Sequence, residues 1–267
     1  MINFYKYHGA GNDFILINNL SGIINLTPDY VALVCDRRLG IGADGLILIE
    51  KSDRADCFMN YYNSDGTIAE MCGNGIRCTA KFFLEQSNSS LKELNIDTRA
   101  GVKKIRVNED DTYSVNMGIA NFSSKDFPPE SINLEGFDLN CVSMGNPHAV
   151  TIVNDLSGID IKTIGPKIEK DSHFPNKINV EFVEKIDDLN YKVKVWERGC
   201  GETLACGTGA CAVFIVINKL LRQGLKSDAR EEMTLKFPGG NLYLSENHEG
   251  QIILRGPATF VFKGEII

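Results

Sequence analysis

Two short cysteine–glycine motifs, about half a chain apart in the 267-residue sequence, constrain the fold more than any other feature. Cys72-Gly73-Asn74-Gly75 and Cys206-Gly207-Thr208-Gly209 both read C-G-[N/T]-G, and each precedes an apolar segment with helical spacing. They predict helices over about 72–86 and 206–221. Two copies at the same structural transition indicate duplicated halves, each with one cysteine where a helix begins.

The rest of the chain is predicted to be mostly strands. Thr27-Pro28 predicts one more helix, over 27–34, because threonine caps helices and proline is favoured at the first helical position. Asp110-Asp111 predicts the turn of a hairpin. Runs rich in Val, Ile, Phe and Tyr between Gly, Pro, Asn and Asp predict strands. These runs are 14–17, 45–49, 56–62, 94–97, 102–107, 112–116, 142–145, 149–153, 178–183, 191–196, 233–237 and 251–254. The helix after Cys206 is apolar all round over 210–217, so it is predicted to be buried.

The placement of the two cysteines suggests their chemistry. A helix N-terminus has unpaired N–H groups and a partial positive charge, which lowers the pKa of a cysteine there from about 8.5. Neighbouring glycines let the backbone approach an anion closely. One such thiol would suggest a nucleophile or a redox group. Two, one from each half, favour two-base racemisation, in which each sulfur acts on one face of a carbon from about 3–3.5 Å.

Composition excludes several other classes of function. The net charge of -7 disfavours a nucleic-acid partner, which needs clustered Lys and Arg. No apolar run approaches the ~18 residues of a membrane span, and the first residues do not resemble a secretory signal. We therefore expect a soluble, cytoplasmic protein with no membrane partner. Eight cysteines are present, but no pair is spaced C-x-x-C, so a metal site is not predicted. Cys35, Cys57 and Cys141 are interpreted as small buried hydrophobes.

Seven motifs in order give the sequence a specific resemblance to a known family. They are His8-Gly9-Ala10-Gly11-Asn12-Asp13-Phe14, Gly40-Ile41-Gly42-Ala43-Asp44-Gly45, Asn63-Ser64-Asp65-Gly66, Met71-Cys72-Gly73-Asn74-Gly75-Ile76-Arg77-Cys78, Gly145-Asn146-Pro147-His148, Trp196-Glu197-Arg198-Gly199 and Ala205-Cys206-Gly207-Thr208-Gly209-Ala210-Cys211. Over essentially its whole length the chain resembles diaminopimelate epimerase. The resemblance implies a cofactor-independent isomerase that interconverts LL- and meso-diaminopimelate for lysine and peptidoglycan synthesis.

The resemblance also implies the architecture. It is an α+β fold of two pseudo-symmetric domains, each a mixed or antiparallel sheet wrapped around a central helix, with the active site in the cleft between them. The expected first half is 1–116 plus 256–267, since the strand at 259–262 returns to it. The expected second half is 117–255. The family substrate is a small molecule, and a homodimer is an assembly the resemblance allows.

Roles are carried over position by position. Cys72 and Cys206 match the two catalytic cysteines, which exchange the parts of thiolate base and thiol acid. His148 and Glu197 are candidates to orient or tune these thiols. Arg198 could clamp the distal carboxylate in a bidentate way. The residues that match substrate-binding positions are Asn12, Asn63, Gly73, Asn74, Asn146, Asn179, Glu197, Arg198, Gly207 and Thr208.

Three alternatives remain open on the sequence. The nearest is another two-cysteine racemase, acting on proline or hydroxyproline, although such a substrate has no distal carboxylate for Glu197-Arg198 to bind. A thiol redox or metal-binding protein could also use clustered cysteines. A non-catalytic relative is the third, but the presence of both cysteines argues against it.

Overall fold

The computed structural model describes residues 1–221 and 231–266, which fall into two units. The first is Met1–Asn116 with Arg255–Ile267, and the second is Met117–Leu254. The boundary taken from the sequence put Arg255 in the second half. Its guanidinium instead bonds Asp110 at 2.8 Å and Thr112 at 3.3 Å, both in the first unit.

The described residues form strands and helices throughout. In chain order they are β1 (Ile2–Gly9), β2 (Asn12–Asn18), α1 (Pro28–Cys35), β3 (Gly45–Glu50), β4 (Cys57–Asn63), α2 (Gly73–Gln86), β5 (Glu93–Asp97), β6 (Lys103–Val107), β7 (Thr112–Gly118), β8 (Ile132–Leu134), β9 (Phe137–Ser143), β10 (Pro147–Val153), α3 (Ile161–Glu169), β11 (Asn179–Lys185), β12 (Asn190–Glu197), β13 (Gly201–Thr203), α4 (Gly207–Leu221), β14 (Met233–Phe237), β15 (Gly240–Glu246), β16 (Ile252–Pro257) and β17 (Thr259–Ile266).

In the first unit, a mixed sheet surrounds α2. The antiparallel pairs of this sheet are β1–β2, β3–β4, β5–β6 and β6–β7. The parallel pairs are β2–β3 and β4–β5. Helix α2 contacts β1 through β5 and buries Ile76, Ala80, Phe82 and Leu84. The expected return of the last strand is confirmed, because β17 pairs antiparallel with β1 from Ile2↔Ile266 to His8↔Thr259.

In the second unit, α4 is the buried helix. Strand β10 pairs antiparallel with β9 and parallel with β11, β11 pairs antiparallel with β12, and β14 pairs antiparallel with β15. Helix α4 contacts β9, β10, β11 and β15. Its apolar side chains, from Ala210 to Ile217, are almost all buried, which confirms the interpretation of an all-round apolar helix. Helix α3 packs on other residues of β11, where Val180 and Phe182 meet Ile161 and Ile168.

The three predicted helices are present, and the α+β class is confirmed. Helix α3 was not predicted, nor were β1, β8, β13 and β15, and the strand predicted over 142–145 is the end of β9. No helix among residues 1–221 and 231–266 is long and apolar enough to cross a membrane.

Candidate active site

Cys72 is the N-cap of α2 and the centre of what we call the Cys72 half-site. Its backbone is extended, with φ -134° and ψ 126°, and its Sγ accepts a hydrogen bond from the Gly75 N–H at 3.4 Å. The side chain therefore takes the place of the serine or aspartate that usually caps a helix. Cys72, which lies at the N-terminus of α2, is a partly exposed residue.

A pair of hydrogen-bonded side-chain amides lies beside this sulfur. The Cys72 thiol lies 3.5 Å from Asn12 Oδ1, and Asn74 Nδ2 donates to the same oxygen at 3.2 Å. Asn12 Nδ2 donates in turn to Asp44 Oδ2 at 2.7 Å, which fixes the orientation of the Asn12 amide. Asp44 belongs to one of the seven motifs but received no role from the sequence.

Arg77 holds the first turn of α2 from inside the unit. It is fully buried, and its guanidinium donates to Gly73 O and Asn74 Oδ1, each at 2.8 Å, and to Pro257 O at 3.2 Å. The planar guanidinium can make these bonds together, which a lysine could not. Asn63, predicted to bind substrate, ends β4 and donates to Thr67 Oγ1 at 3.0 Å within its own turn.

Cys206 immediately precedes α4 and is the centre of the Cys206 half-site. Its Sγ accepts from the Gly209 N–H at 3.3 Å and lies 3.4 Å from Thr208 Oγ1. The half-site repeats the Cys72 arrangement, with a sulfur on the N–H three residues further along. Cys206 differs in being buried.

Two carboxyl groups dominate the electrostatics around Cys206. Burial, followed by the charges of Glu197 and Glu181, raises the pKa of the Cys206 thiol well above its usual value, against the bonds from Thr208 and Gly209. Burial also raises the pKa of Glu197, which bonds Thr203 and Cys206. The lowered pKa that a helix N-terminus predicts is therefore wrong for Cys206 in this structure, which favours its neutral thiol.

His148 lies behind this half-site, fully buried. Its Nδ1 is 2.7 Å from Glu181 Oε1 and its Nε2 is 3.1 Å from Asn146 Oδ1. The sequence singled out His148 and Asn146 but not Glu181. The one available signal was that Glu181 stands among Val180, Phe182 and other apolar residues of a strand.

Asn179 and Glu169 fix the turn that carries Arg198. Asn179 donates to Pro147 O at 2.7 Å and accepts from the Arg198 N–H at 2.9 Å. Glu169 is buried and accepts from Trp196 Nε1 at 2.7 Å and from the Gly199 N–H at 3.1 Å. Arg198 itself donates to Asn176 O at 3.1 Å. No motif or spacing in the sequence indicated the role of Glu169.

The buried cysteines outside the two half-sites act as small apolar side chains of the core. Burial raises the pKa of Cys35, Cys57, Cys78 and Cys141 to about 12, which confirms the interpretation of small buried hydrophobes for Cys35, Cys57 and Cys141. Within the part of the chain that the structure describes, no group of three or more His, Cys, Asp or Glu side chains could hold a metal ion.

Comparison with known proteins decides the family. The family model described as diaminopimelate epimerase matches residues 4–123 and 140–261. A diaminopimelate epimerase of Carboxydothermus hydrogenoformans is 42% identical over 277 residues, 99% of each chain. One of Prochlorococcus marinus is 43% identical, over 99% of this chain and 98% of its own. The chain belongs to the diaminopimelate epimerase family.

Solved structures share the fold at lower identity. A phenazine biosynthesis protein of the PhzF family from Bacillus anthracis superposes with a TM-score of 0.73 at 19% identity, over 100% of this chain and 99% of its own. A hydroxyproline epimerase from Agrobacterium vitis, with bound trans-4-hydroxy-L-proline, gives 0.68 at 13% identity, over 98% and 91%. At such identities the likeness shows the α+β fold alone.

Proposed function

We propose that this chain interconverts LL- and meso-diaminopimelate, with Cys72 and Cys206 as the two acid–base groups. The observation that carries the proposal is the repeated arrangement of a thiol on the N–H of the third residue of a helix, at Gly75 and at Gly209. Relatives that carry the name diaminopimelate epimerase, at about 40% identity over nearly the full length, support the substrate. The activity is that of an isomerase.

The chemistry is a proton exchange at one carbon. One cysteine, as thiolate, takes the α-proton, so that the C–H bond breaks and an S–H bond forms. The other cysteine, as thiol, gives its proton to the opposite face of the carbon and becomes a thiolate. The configuration inverts, and the two sulfurs exchange roles in the reverse direction. Because Cys206 is buried beside two carboxyls, its thiol form fits the part of acid.

Backbone groups would stabilise the carbanion. The α-proton of an amino acid is far less acidic than a thiol, so charge must spread into the α-carboxylate. The first-turn N–H groups at Gly73 and Asn74 of α2, and at Gly207 and Thr208 of α4, supply hydrogen-bond donors and the positive end of a helix dipole. We assign the α-carboxylate to these groups.

Neutral amides and one arginine would bind the rest of the substrate. Asn12, Asn63, Asn146 and Asn179 offer donors and acceptors to ammonium and carboxylate groups without adding charge near the thiols. We assign Arg198 to the distal carboxylate, and His148 and Glu197 to the orientation of the Cys206 thiol. No residue in this set needs a cofactor to perform its role.

A substrate panel tests this function. We expect the protein to epimerise LL-diaminopimelate and not to racemise L-proline or trans-4-hydroxy-L-proline. Chiral chromatography of the products measures both. Arg198→Met should raise the KM for diaminopimelate by roughly tenfold or more, since it removes a charge-assisted pair. Lys162→Met, which changes an exposed residue of the same unit, should not. Racemisation of proline without activity on diaminopimelate would overturn the proposal in favour of the nearest alternative.

We also propose that the protein acts in the cytoplasm, where lysine and peptidoglycan precursors are made.

We propose a second copy of this chain as its partner. Three consecutive residues of β17 are 43–50% exposed: Phe260, Val261 and Phe262. An apolar stretch of this kind favours a protein interface. Sedimentation should give twice 29.5 kDa. Phe262→Asp should give a monomer. The control Ile23→Asp, which changes another exposed apolar residue, should remain a dimer. A monomeric wild-type protein would contradict the proposed dimer.

A further inference from the structure

Glu181 is a charged residue on a strand that is buried on both faces. Strand β11 is buried from Asn179 to Val183, and Glu181 itself is 0% exposed. Val180 and Phe182 pack with α3, so Glu181, between them in a strand of alternating faces, is directed toward α4. Burying a carboxylate costs several kcal/mol unless it is paired, so its place here needs an explanation.

The pairing of this carboxylate is incomplete. Glu181 Oε1 is 2.7 Å from Nδ1 of His148, whose ring is also fully buried. Glu181 Oε2 is the one buried side-chain N or O atom, among the residues that the structure describes, with no hydrogen-bond partner. His148 Nε2 faces a second oxygen, Asn146 Oδ1, at 3.1 Å. Each ring nitrogen of His148 therefore lies within hydrogen-bond distance of an oxygen, and Glu181 holds one side of the ring.

The same carboxylate lies against the start of α4. A Cβ added to Gly209 would be 2.5 Å from Glu181 Oε1 and 3.3 Å from Cys206 Sγ. Both atoms therefore lie within 3.3 Å of one point, and they are at most about 6 Å apart. At this separation, in a buried site, a carboxylate disfavours a second negative charge on the sulfur.

The charged and titratable groups around this point come from several elements. Strand β12 contributes Glu197, β10 contributes His148 and β9 contributes Cys141. Burial, and then the charge of Glu181, raises the pKa of Cys141 to about 12. Cys211 of α4 is buried, and the buried residues of β15 are the apolar Leu242 and Leu244. Glu181 and Glu197 are the two groups whose charge acts on Cys206 in the same sense.

We infer that Glu181 is a positioning residue of the proposed reaction, which fixes His148 and keeps Cys206 in its thiol form until substrate binds. It acts through His148 and across the first turn of α4. The inference rests on the proposed function, because it concerns the part that Cys206 plays in that reaction. Its direct consequence, the protonation state of Cys206, can nevertheless be measured without any substrate.

The test compares Glu181→Gln with Glu184→Gln, which makes the same change on β11 at a partly exposed residue paired with Lys192. The probe is iodoacetamide, and the modified Cys72 and Cys206 peptides are quantified by mass spectrometry as a function of pH. Glu181→Gln should move the Cys206 profile about one pH unit lower, so that its alkylation near neutral pH rises about tenfold. The Cys72 profile in this variant, and both profiles in Glu184→Gln, should match wild type.

A kinetic measurement distinguishes this role from a purely structural one. In Glu181→Gln the alkaline limb of the pH profile of kcat/KM should move down by about one unit, with the KM for diaminopimelate unchanged. An unchanged Cys206 alkylation profile in folded Glu181→Gln overturns the inference, even when diaminopimelate is epimerised. A shifted profile in a protein that does not epimerise diaminopimelate supports the role of Glu181 at Cys206 and contradicts the proposed function instead.

A second variant covers the case in which Glu181→Gln does not fold because His148 loses its partner. The double variant Glu181→Gln/His148→Gln replaces the pair by two neutral amides that can bond each other, which is tolerated better than removal of one partner. It should show the same downward shift of the Cys206 profile. A wild-type profile in the folded double variant would also overturn the inference.

Discussion

The Cys72 and Cys206 half-sites begin their helices in the same way but differ in what lies behind the first turn. A Cβ on Gly75 would meet Met59 Cε at 3.0 Å and Ile47 Cδ1 at 3.1 Å, whereas one on Gly209 would meet a carboxylate oxygen of Glu181 at 2.5 Å. At the Cys72 half-site the sulfur instead lies 3.5 Å from the amide oxygen of Asn12, to which Asn74 donates. The repeated backbone arrangement therefore presents one thiol beside neutral amides and one beside carboxyl groups.

The residue that supports each turn also differs. Five residues after Cys72 stands Arg77, which bonds Asn74; five after Cys206 stands Cys211, a buried thiol. Thr208, the counterpart of Asn74, bonds the cysteine sulfur directly. The proposed reaction uses two sulfurs at helix N-termini whose supporting residues differ.

The largest effect on stability is expected at Arg77. Arg77→Met leaves Gly73 O, Asn74 Oδ1 and Pro257 O without this donor inside the first unit, and it should lower the free energy of unfolding by about 3 kcal/mol. Urea denaturation measures the change. Arg106→Met, at an exposed residue of β6, should change it by less than about 0.5 kcal/mol. A similar loss in both variants would remove the structural distinction assigned to Arg77.

The two motif glycines should respond unequally to alanine. Gly209→Ala sets a methyl group against Glu181, which is held by His148, so we expect a net loss of about 1–2 kcal/mol. In Gly75→Ala the close contacts are with the flexible ends of Met59 and Ile47, and the contact with Cys72 Cβ, at 3.4 Å, is an ordinary one. Alanine favours a helix by up to about 1 kcal/mol, so the stability of this variant should stay close to wild type. Equal losses in urea denaturation would contradict the difference between the half-sites.

The smallest effect is expected at Thr208. The bond from Thr208 lowers the pKa of the Cys206 thiol, so Thr208→Val should raise that pKa further and leave less thiolate at neutral pH. Alkylation of the Cys206 peptide by iodoacetamide should slow by about two- to fivefold, which corresponds to roughly 0.5–1 kcal/mol for one hydrogen bond. The Cys72 peptide provides the internal control. Faster alkylation of Cys206 would show that the hydroxyl does not favour the thiolate.

Local signals made much of the fold predictable. Thr27 caps α1 by accepting from the Tyr30 N–H at 3.3 Å, and Asp111 has the positive φ, 59°, of a hairpin turn. Helix α3 was missed because Gly165 and Pro166 usually interrupt helices. Gly165 is required there by packing, since a Cβ would be 2.6 Å from the Trp196 ring. That contact joins distant segments, and no local pattern shows it.

The candidate site likewise contains residues that local motifs indicate and residues that only long-range pairing brings there. Motifs indicated Cys72, Cys206, Asn12 and His148 as candidates. The pKa expected for Cys206 was wrong because burial, and then the charges of carboxyl groups on other strands, raise it. In the sequence, a glutamate between apolar residues of a strand would be placed on the solvent-exposed face. The parallel pairing of β10 with β11 instead brings Glu181 to His148, 33 residues away in the sequence. Long-range pairing, rather than residue type, decides which glutamates are buried.

Solvent isotope exchange tests the central claim, that both unlike half-sites supply an acid–base group, most directly. In deuterated water, the wild-type enzyme should place deuterium at the substrate α-carbon as it inverts LL-diaminopimelate. Cys72→Ser and Cys206→Ser should each slow this inversion by about a hundredfold or more, since each lacks one of the two groups. Inversion with deuterium incorporation at the wild-type rate in either serine variant would contradict the two-thiol account.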